Sequence, residues 1–325
     1  MKIYLAPMEG VIDHHMRDIL TRIGGYQVCV TEFLRVTDTL LPEHLFHRIC
    51  PELMHGSQTN TGTPVTIQLL GGIAEVMAEN ALRAVELGAT SIDINFGCPS
   101  KFVNRKAGGA VLLKEPERIF KITNAVRKAV PIDVPVSAKI RLGYESTEFA
   151  LENALAVEAA NASFITVHAR TKVDGYKHPA RWEWFGRIDD ALSIPMVANG
   201  DINSVDDFLR CQEISGCQDF MLGRGAIAQP DLARQIKATQ LQTTTTPMSW
   251  TDVSRLVMKL AKAMQAQPQT DDLRILGRLK QWLVYLKKQY PEAANLFTEF
   301  RHVKKFSQAE VLLLKHGQII HVSNT

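Results

Sequence analysis

Eight short apolar runs, each closed by Gly, Pro or a polar residue, recur through the first 222 residues of this chain. They occupy 3–6, 27–32, 64–69, 91–95, 134–140, 164–168, 195–199 and 219–222. β-Branched residues are frequent in them, and most of their length is apolar on both faces. That is the pattern of strands covered on both sides. Helical patterns separate most of them: 73–87 stops at Gly88, 116–130 starts on Pro116 and stops before Pro131, and 204–214 starts on Ser204. Such alternation over roughly 220–240 residues predicts a (β/α)8 TIM barrel rather than a doubly wound sheet. No GxGxxG follows the first run, which counts against a dinucleotide-binding start. Residues 34–62 then form a long connection with helical pieces.

The pattern changes at 241–249, where LQTTTTPMS reads as a polar linker closed by Pro. Beyond it only helical periodicity is found. Leu276, Leu279, Leu283 and Leu286 share one helix face, with Arg274, Arg278, Gln281, Tyr285 and Lys288 opposite. The sequence thus predicts a barrel at 1–240, a linker at 241–249 and a small α-helical C-terminal domain at 250–325. Charge divides along the same line. Residues 249–325 hold 12 Lys and Arg against 6 Asp and Glu, whereas 1–248 hold 25 against 28, so the overall +3 hides a basic tail of +6. Such a tail suits a polyanionic partner, or serves solubility alone.

Composition removes several classes. With 46% hydrophobic and 22% charged residues the chain is neither disordered nor coiled coil. Five Cys without a CxxC pair argue against a disulfide framework and for a reducing compartment. No signal pattern and no apolar run near ~20 residues are found, so a cytoplasmic protein is expected. His44 and His47 lie three apart and no HExxH is present; they read as a helix surface, and no metal is expected.

Barrel enzymes carry their chemistry at the carboxyl ends of the strands. Here those ends hold Met8, Glu9 and Gly10, then Gln68, Asn95 and Cys98, Lys139 and Arg141, His168 and Arg170, Asn199-Gly200-Asp201, and Gly223-Arg224-Gly225. Turns after the seventh and eighth strands often bind phosphate, because glycine lets backbone N–H groups approach an anion. Arg224 adds charge there, and Lys139 and His168 face the same mouth. A phosphorylated cofactor or substrate is expected. Cys98, in Asn95-Phe96-Gly97-Cys98-Pro99-Ser100-Lys101, sits on a loop shaped by Gly and Pro near Lys101 and Arg105. It is expected to be exposed and to act as a proton donor or a nucleophile.

The motifs LAPMEG, TEF, QLLG, DINFGCPSK, KIRLG, VHART, ANGDI and LGRGA, in that order, resemble those of the tRNA-dihydrouridine synthase family. Details such as RLKQWLVYLKKQYPEA are most similar to the bacterial C-type subfamily, which modifies position 16 of the tRNA D-loop. The resemblance implies FMN in the barrel mouth, reduced by NADPH. Hydride then passes from flavin N5 to carbon 6 of a uracil, and Cys98 protonates carbon 5 from the other side. It assigns Pro7, Met8, Glu9, Gln68, Lys139, His168, Asn199, Gly200, Asp201, Gly223 and Arg224 to the cofactor. It assigns Arg35, Asn95, Tyr176, Arg278, Lys280 and Tyr285 to tRNA. A monomer is expected. Lys101 and Arg105 are expected to serve RNA phosphates rather than the thiol. Read without the resemblance, Arg278 and Tyr285 fit a solvated helix face. Two other readings stay open: a flavin barrel for a free pyrimidine, which would not need residues 249–325, and a tRNA-binding protein on a relic barrel.

Overall fold

In the computed structural model the eight runs form parallel strands β1 (Ile3–Leu5), β2 (Val28–Arg35), β3 (Val65–Leu70), β4 (Ile92–Asn95), β5 (Val136–Gly143), β6 (Phe164–Thr171), β7 (Met196–Asn199) and β8 (Asp219–Leu222). Each pairs with its neighbour in sequence and β8 returns to β1, which closes the barrel. The structure describes residues 1–105, 107–177, 179–268 and 270–317. Helices Ala74–Glu86, Pro116–Ala129, Ala150–Ala159, Glu183–Asp189 and Val205–Ser215 follow β3 and later strands, as a (β/α)8 barrel requires. The long connection before β3 contains Glu43–Ile49 and a 3-10 turn at Pro51–His55.

Three strands run three residues further than their apolar runs. β2 continues to Arg35, through a register shift against β3 between Val30 and Phe33. β5 reaches Gly143 and β6 reaches Thr171, with a shift between Arg141 and Gly143. The polar residues that end the hydrophobic pattern are therefore still paired in the sheet. Arg141, His168, Arg170 and Thr171 are buried, and Glu32 and Arg35 are half-buried.

The chain divides into two compact units. One comprises Met1–His14, Tyr26–Ile202 and Asp206–Gly223 and holds all eight strands. The other comprises His15–Gly25, Asn203–Val205 and the chain from Arg224 on. The division at 240 read from the sequence thus differs from that of the compact units. Helices Arg224–Ala228 and Leu232–Gln240 group with the C-terminal helices, as does the segment before β2. Close packing explains this: a Cβ at Gly25 would lie 2.4 Å from the carbonyl carbon of Ala233. Trp282, wholly buried, donates its indole N–H to the carbonyl of Ile227 at 3.0 Å.

The C-terminal helices are Trp250–Gln265, Asp272–Leu286, Pro291–Phe300 and Phe306–Gly317. Ser249 and Asp252 close a capping box at the start of the first, and Asp271 accepts from the Arg274 N–H at the start of the second. Leu276, Leu279, Leu283 and Leu286 are all buried, each such side chain contributing about 1.5–3 kcal/mol. Residues 318–325 of the domain read from the sequence lie outside the described residues. Among the described residues, no helix is long and apolar enough to cross a membrane.

Candidate active site at the carboxyl ends of the strands

Side chains two apart in a strand share a face. On the barrel's inner face, Tyr4, Val30, Val197 and Met221 pack as one apolar cluster. The opposite part of the interior is polar. Gln68 stands in register with Asp93, Asp93 with Ser137, and Asn95 with Lys139. Gln68 Nε2 donates to Asp93 Oδ2 at 2.7 Å, and the Ser137 hydroxyl donates to Asp93 Oδ1 at 2.6 Å. Lys139 Nζ donates to Asn199 Oδ1 at 2.8 Å, and Asn199 Nδ2 to the carbonyl of Met221 at 2.9 Å. Burial holds the Asp93 carboxyl above its ordinary value. Burial, reinforced by Arg141, brings Lys139 down to about 7, against the opposing pull of Asp93.

The loop after β4 carries Cys98. Asn95 Oδ1 accepts the N–H groups of Gly97 and Cys98, both at 2.9 Å, while Asn95 Nδ2 donates to Gln68 Oε1 at 2.8 Å. Asn104 Nδ2 holds the other side of the loop, donating to the carbonyls of Cys98 and Ser100 at 3.0 and 2.7 Å. Arg141 Nε donates to the carbonyl of Gly97 at 2.8 Å. Cys98 itself is only 7% exposed and packs with Leu70, Val103 and Phe33. The expected exposed thiol is therefore corrected: the loop folds onto the barrel mouth, and Cys98 looks inward. Burial pushes the thiol up and Glu9 adds to this, while the Ser100 backbone, Arg141 and Arg35 oppose. Lys101 and Arg105 are exposed. Beside the loop a cavity of about 210 Å³ is lined by Arg35, Leu70, Gly72, Val103 and Gly108.

At the ends of β6 and β7, Arg170 reaches back to two partners. Its Nη1 donates to His168 Nε2 at 3.3 Å and its Nη2 pairs with Asp201, which also accepts the N–H of Ala180 at 2.9 Å. Trp182 donates its indole N–H to the carbonyl of Gly200 at 2.9 Å. A Cβ at Gly200 would come within 3.2 Å of His168 and 3.1 Å of Ala180, so only glycine fits this turn without displacing them. At the ends of β1 and β8, the Met8 carbonyl accepts the N–H groups of Val11 and Ile12, both at 2.9 Å. Met8 sulfur lies against Gly223. Pro7 and Met8 are half-buried, and Glu9 is exposed. Arg224 opens the helix that follows Gly223.

The residues assigned to tRNA are spread more widely. Arg35 ends β2 and stacks on Phe102 at 4.1 Å, whereas Tyr176 is 55% exposed beneath the Arg141 guanidinium at 5.3 Å. Asn95 is committed to the loop geometry just described. On the helix Asp272–Leu286, Arg278 bonds to Gln281, and Lys288 lies 5.8 Å from the ring of Tyr285. Lys280 donates to the carbonyls of Arg301 and Val303, at 3.1 and 3.2 Å. Sequence reading passed over Asp93, Ser137 and Asn104. The signal for Asp93 was its spacing of two from Asn95 within one strand.

Compared with known families, residues 4–318 match the model described as dihydrouridine synthase. The chain belongs to the dihydrouridine synthase family. The match covers both compact units, so this dihydrouridine synthase is an enzyme whose family fold includes the helical part. It is 50% identical over 313 residues to a protein of Pseudomonas syringae pv. tomato named tRNA-dihydrouridine(16) synthase, covering 96% of this chain and 98% of that one. It is 50% identical over 318 residues to a protein of the same name from Shewanella oneidensis, covering 98% of each. The same name is carried by a relative from Escherichia coli O157:H7, 47% identical over 302 residues and 93% of each chain. Among solved structures, a 2-naphthoyl-CoA reductase superimposes with a TM-score of 0.56 at 13% identity, over 74% of this chain and 50% of that one. A histamine dehydrogenase from Rhizobium sp. 4-9 gives 0.54 at 17%, over 74% and 46%. The chain spans about half the length of those two structures, which share its barrel fold.

Proposed function

We propose that this dihydrouridine synthase reduces one uridine of a tRNA, at position 16, to 5,6-dihydrouridine, with bound FMN as its flavin and NADPH as reductant. The names and near-complete overlap of the relatives support the substrate. The observation that carries the chemistry is the state of Cys98. A thiol pushed up by burial stays protonated at neutral pH and is a proton donor rather than a nucleophile. Bound flavin supplies the hydride for carbon 6 of the uracil. Cys98 gives its proton to carbon 5, and Arg141, Arg35 and the Ser100 backbone, which favour the thiolate, stabilise the anion left behind.

The residues present fit a phosphorylated flavin. Gln68, Lys139 and Asn199 line the polar part of the interior with donors and acceptors. Gly200 forms a cradle that any Cβ would fill, and Arg170 neutralises Asp201 beside it. Pro7, Met8, Glu9, His168, Gly223 and Arg224 complete the proposed cofactor set. For tRNA we assign Arg35, Asn95 and Tyr176 in the barrel, and Arg278, Lys280 and Tyr285 in the basic helical part. Cations bind phosphates and the tyrosines stack on bases or ribose. The target uridine has to leave its stack to reach a site inside a barrel mouth. The enzyme acts as a monomer in the cytoplasm.

Mapping dihydrouridine in tRNA from a strain lacking the gene tests this reading. Loss of the base at position 16, restored by the wild-type chain and not by Cys98→Ala, is expected. Unchanged tRNA, with purified protein that reduces free uracil instead, would overturn it.

A further inference from the structure

We infer that Asp93 is a positioning residue for the Cys98 loop, acting through the orientation of two carboxamides. The relay has two fixed ends. At the loop, the backbone N–H groups of Gly97 and Cys98 can only donate, so Asn95 presents Oδ1 to them and turns Nδ2 to Gln68. Gln68 then presents Oε1 to Asn95 and Nε2 to its far side. That far side must be an acceptor, and Asp93 is one, at 2.7 Å. Reversal at any link would set donor against donor or acceptor against acceptor in a buried site. Each such mismatch carries the full penalty of an unsatisfied polar group.

Asp93 has its own support. Ser137 donates to its second oxygen at 2.6 Å, and the carboxylate is 2% exposed. Strand register sets the spacing, since Gln68, Asp93 and Ser137 are successive partners across β3, β4 and β5. No acceptor at 93 would leave Gln68 Nε2 buried and unpaired. Unheld on that side, Gln68 no longer fixes its Oε1 toward Asn95 Nδ2, and Asn95 in turn holds the two loop N–H groups less firmly. The carbonyl side of the loop stays with Asn104, so the N–H side alone reports on the relay.

What residue 93 must offer is an acceptor, not a charge. Asp93→Asn can keep an oxygen toward Gln68 and donate its NH2 to Ser137, whose hydroxyl turns to the carbonyl of Ile92, 3.5 Å away. Asp93→Leu, which fills much of the same space, cannot. Amide hydrogen exchange on the protein as purified separates the two. Asp93→Leu is expected to speed exchange at Gly97 and Cys98 by about tenfold, the worth of a lost hydrogen bond, with amides of β1 and β8 unchanged. Asp93→Asn should keep both protected. In turnover, kcat should fall about tenfold for Asp93→Leu with KM for tRNA within about twofold, and Asp93→Asn should stay near wild type.

Protected amides in Asp93→Leu would overturn the inference, as would faster exchange throughout the barrel or equal loss in Asp93→Asn. Should Asp93→Leu not fold, Gln68→Leu cuts the relay at its middle and should expose the same two amides. If neither folds, Asp93 holds the barrel rather than the loop and the inference fails. The effect on turnover rests on the role proposed for Cys98, whereas the exchange pattern does not. Expected exchange in a chain that reduces no tRNA would leave the relay standing and remove the proposed function.

Discussion

Lys139 on β5 donates to Asn199 on β7 at 2.8 Å, passing over the strand between them. The bond places an ammonium in the barrel interior, where burial opposes its charge and brings it to about 7 from an ordinary value of 10.5. Between those two values the unfolded chain binds a proton that the folded one does not. Stability of the flavin-free protein should therefore rise with pH across that window, with the penalty complete below 7 and gone above 10.5. Melting temperatures of wild type and Lys139→Met across pH 7–10, each relative to its own value at pH 7, check this. The wild type should gain and the variant should not; equal slopes would show that Lys139 is charged throughout.

How much of this was legible beforehand depended on what each residue touches. The strand–helix alternation gave the barrel, because covered strands leave an unmistakable apolar pattern. Strand ends such as Arg35 and Thr171 were lost, because bulges carry β2, β5 and β6 past the point where the pattern turns polar. The place of Cys98 on a loop after the fourth strand was visible; its burial was not, since that depends on Val103 and Leu70 closing over it. Asp93 looked like a stray polar residue in a strand. Only register with Gln68 and Ser137 gives it a task.

Cys98→Ala should retain flavin and lose about 10²–10⁴-fold in turnover, the usual range for a general acid. The raised thiol adds a pH signature. A donor must keep its proton, so activity should hold on the alkaline side beyond the ordinary thiol range. Iodoacetamide should label Cys98 more slowly at pH 8 than an unfolded control. Rapid labelling near neutrality would indicate a thiolate and a nucleophilic role.

Gly109 lies under the same loop. Its φ is +67, and a Cβ there would sit 2.9 Å from the carbonyl oxygen and 3.1 Å from the Cβ of Cys98. Gly109→Ala combines a left-handed backbone, costing roughly 1–2 kcal/mol, with pressure on the loop. Both a lower denaturant midpoint and a reduced kcat are expected. A variant with wild-type kcat would show that the loop position tolerates displacement.

Arg278 and Lys280 lie on one helix but differ in what they hold. Arg278 bonds to the Gln281 side chain, whereas Lys280 spends two of its three donors on the carbonyls of Arg301 and Val303 at the end of helix Pro291–Phe300. Arg278→Ala should weaken tRNA binding and flatten the dependence of log K on log salt by about 0.9, one phosphate's worth, at unchanged stability. Lys280→Ala should lower the melting temperature as well, because it also releases two carbonyls. Salt titrations and melting curves on both variants separate the roles. If Lys280→Ala shifts the melting temperature and leaves the salt slope intact, Lys280 serves the helical part alone and leaves the tRNA set.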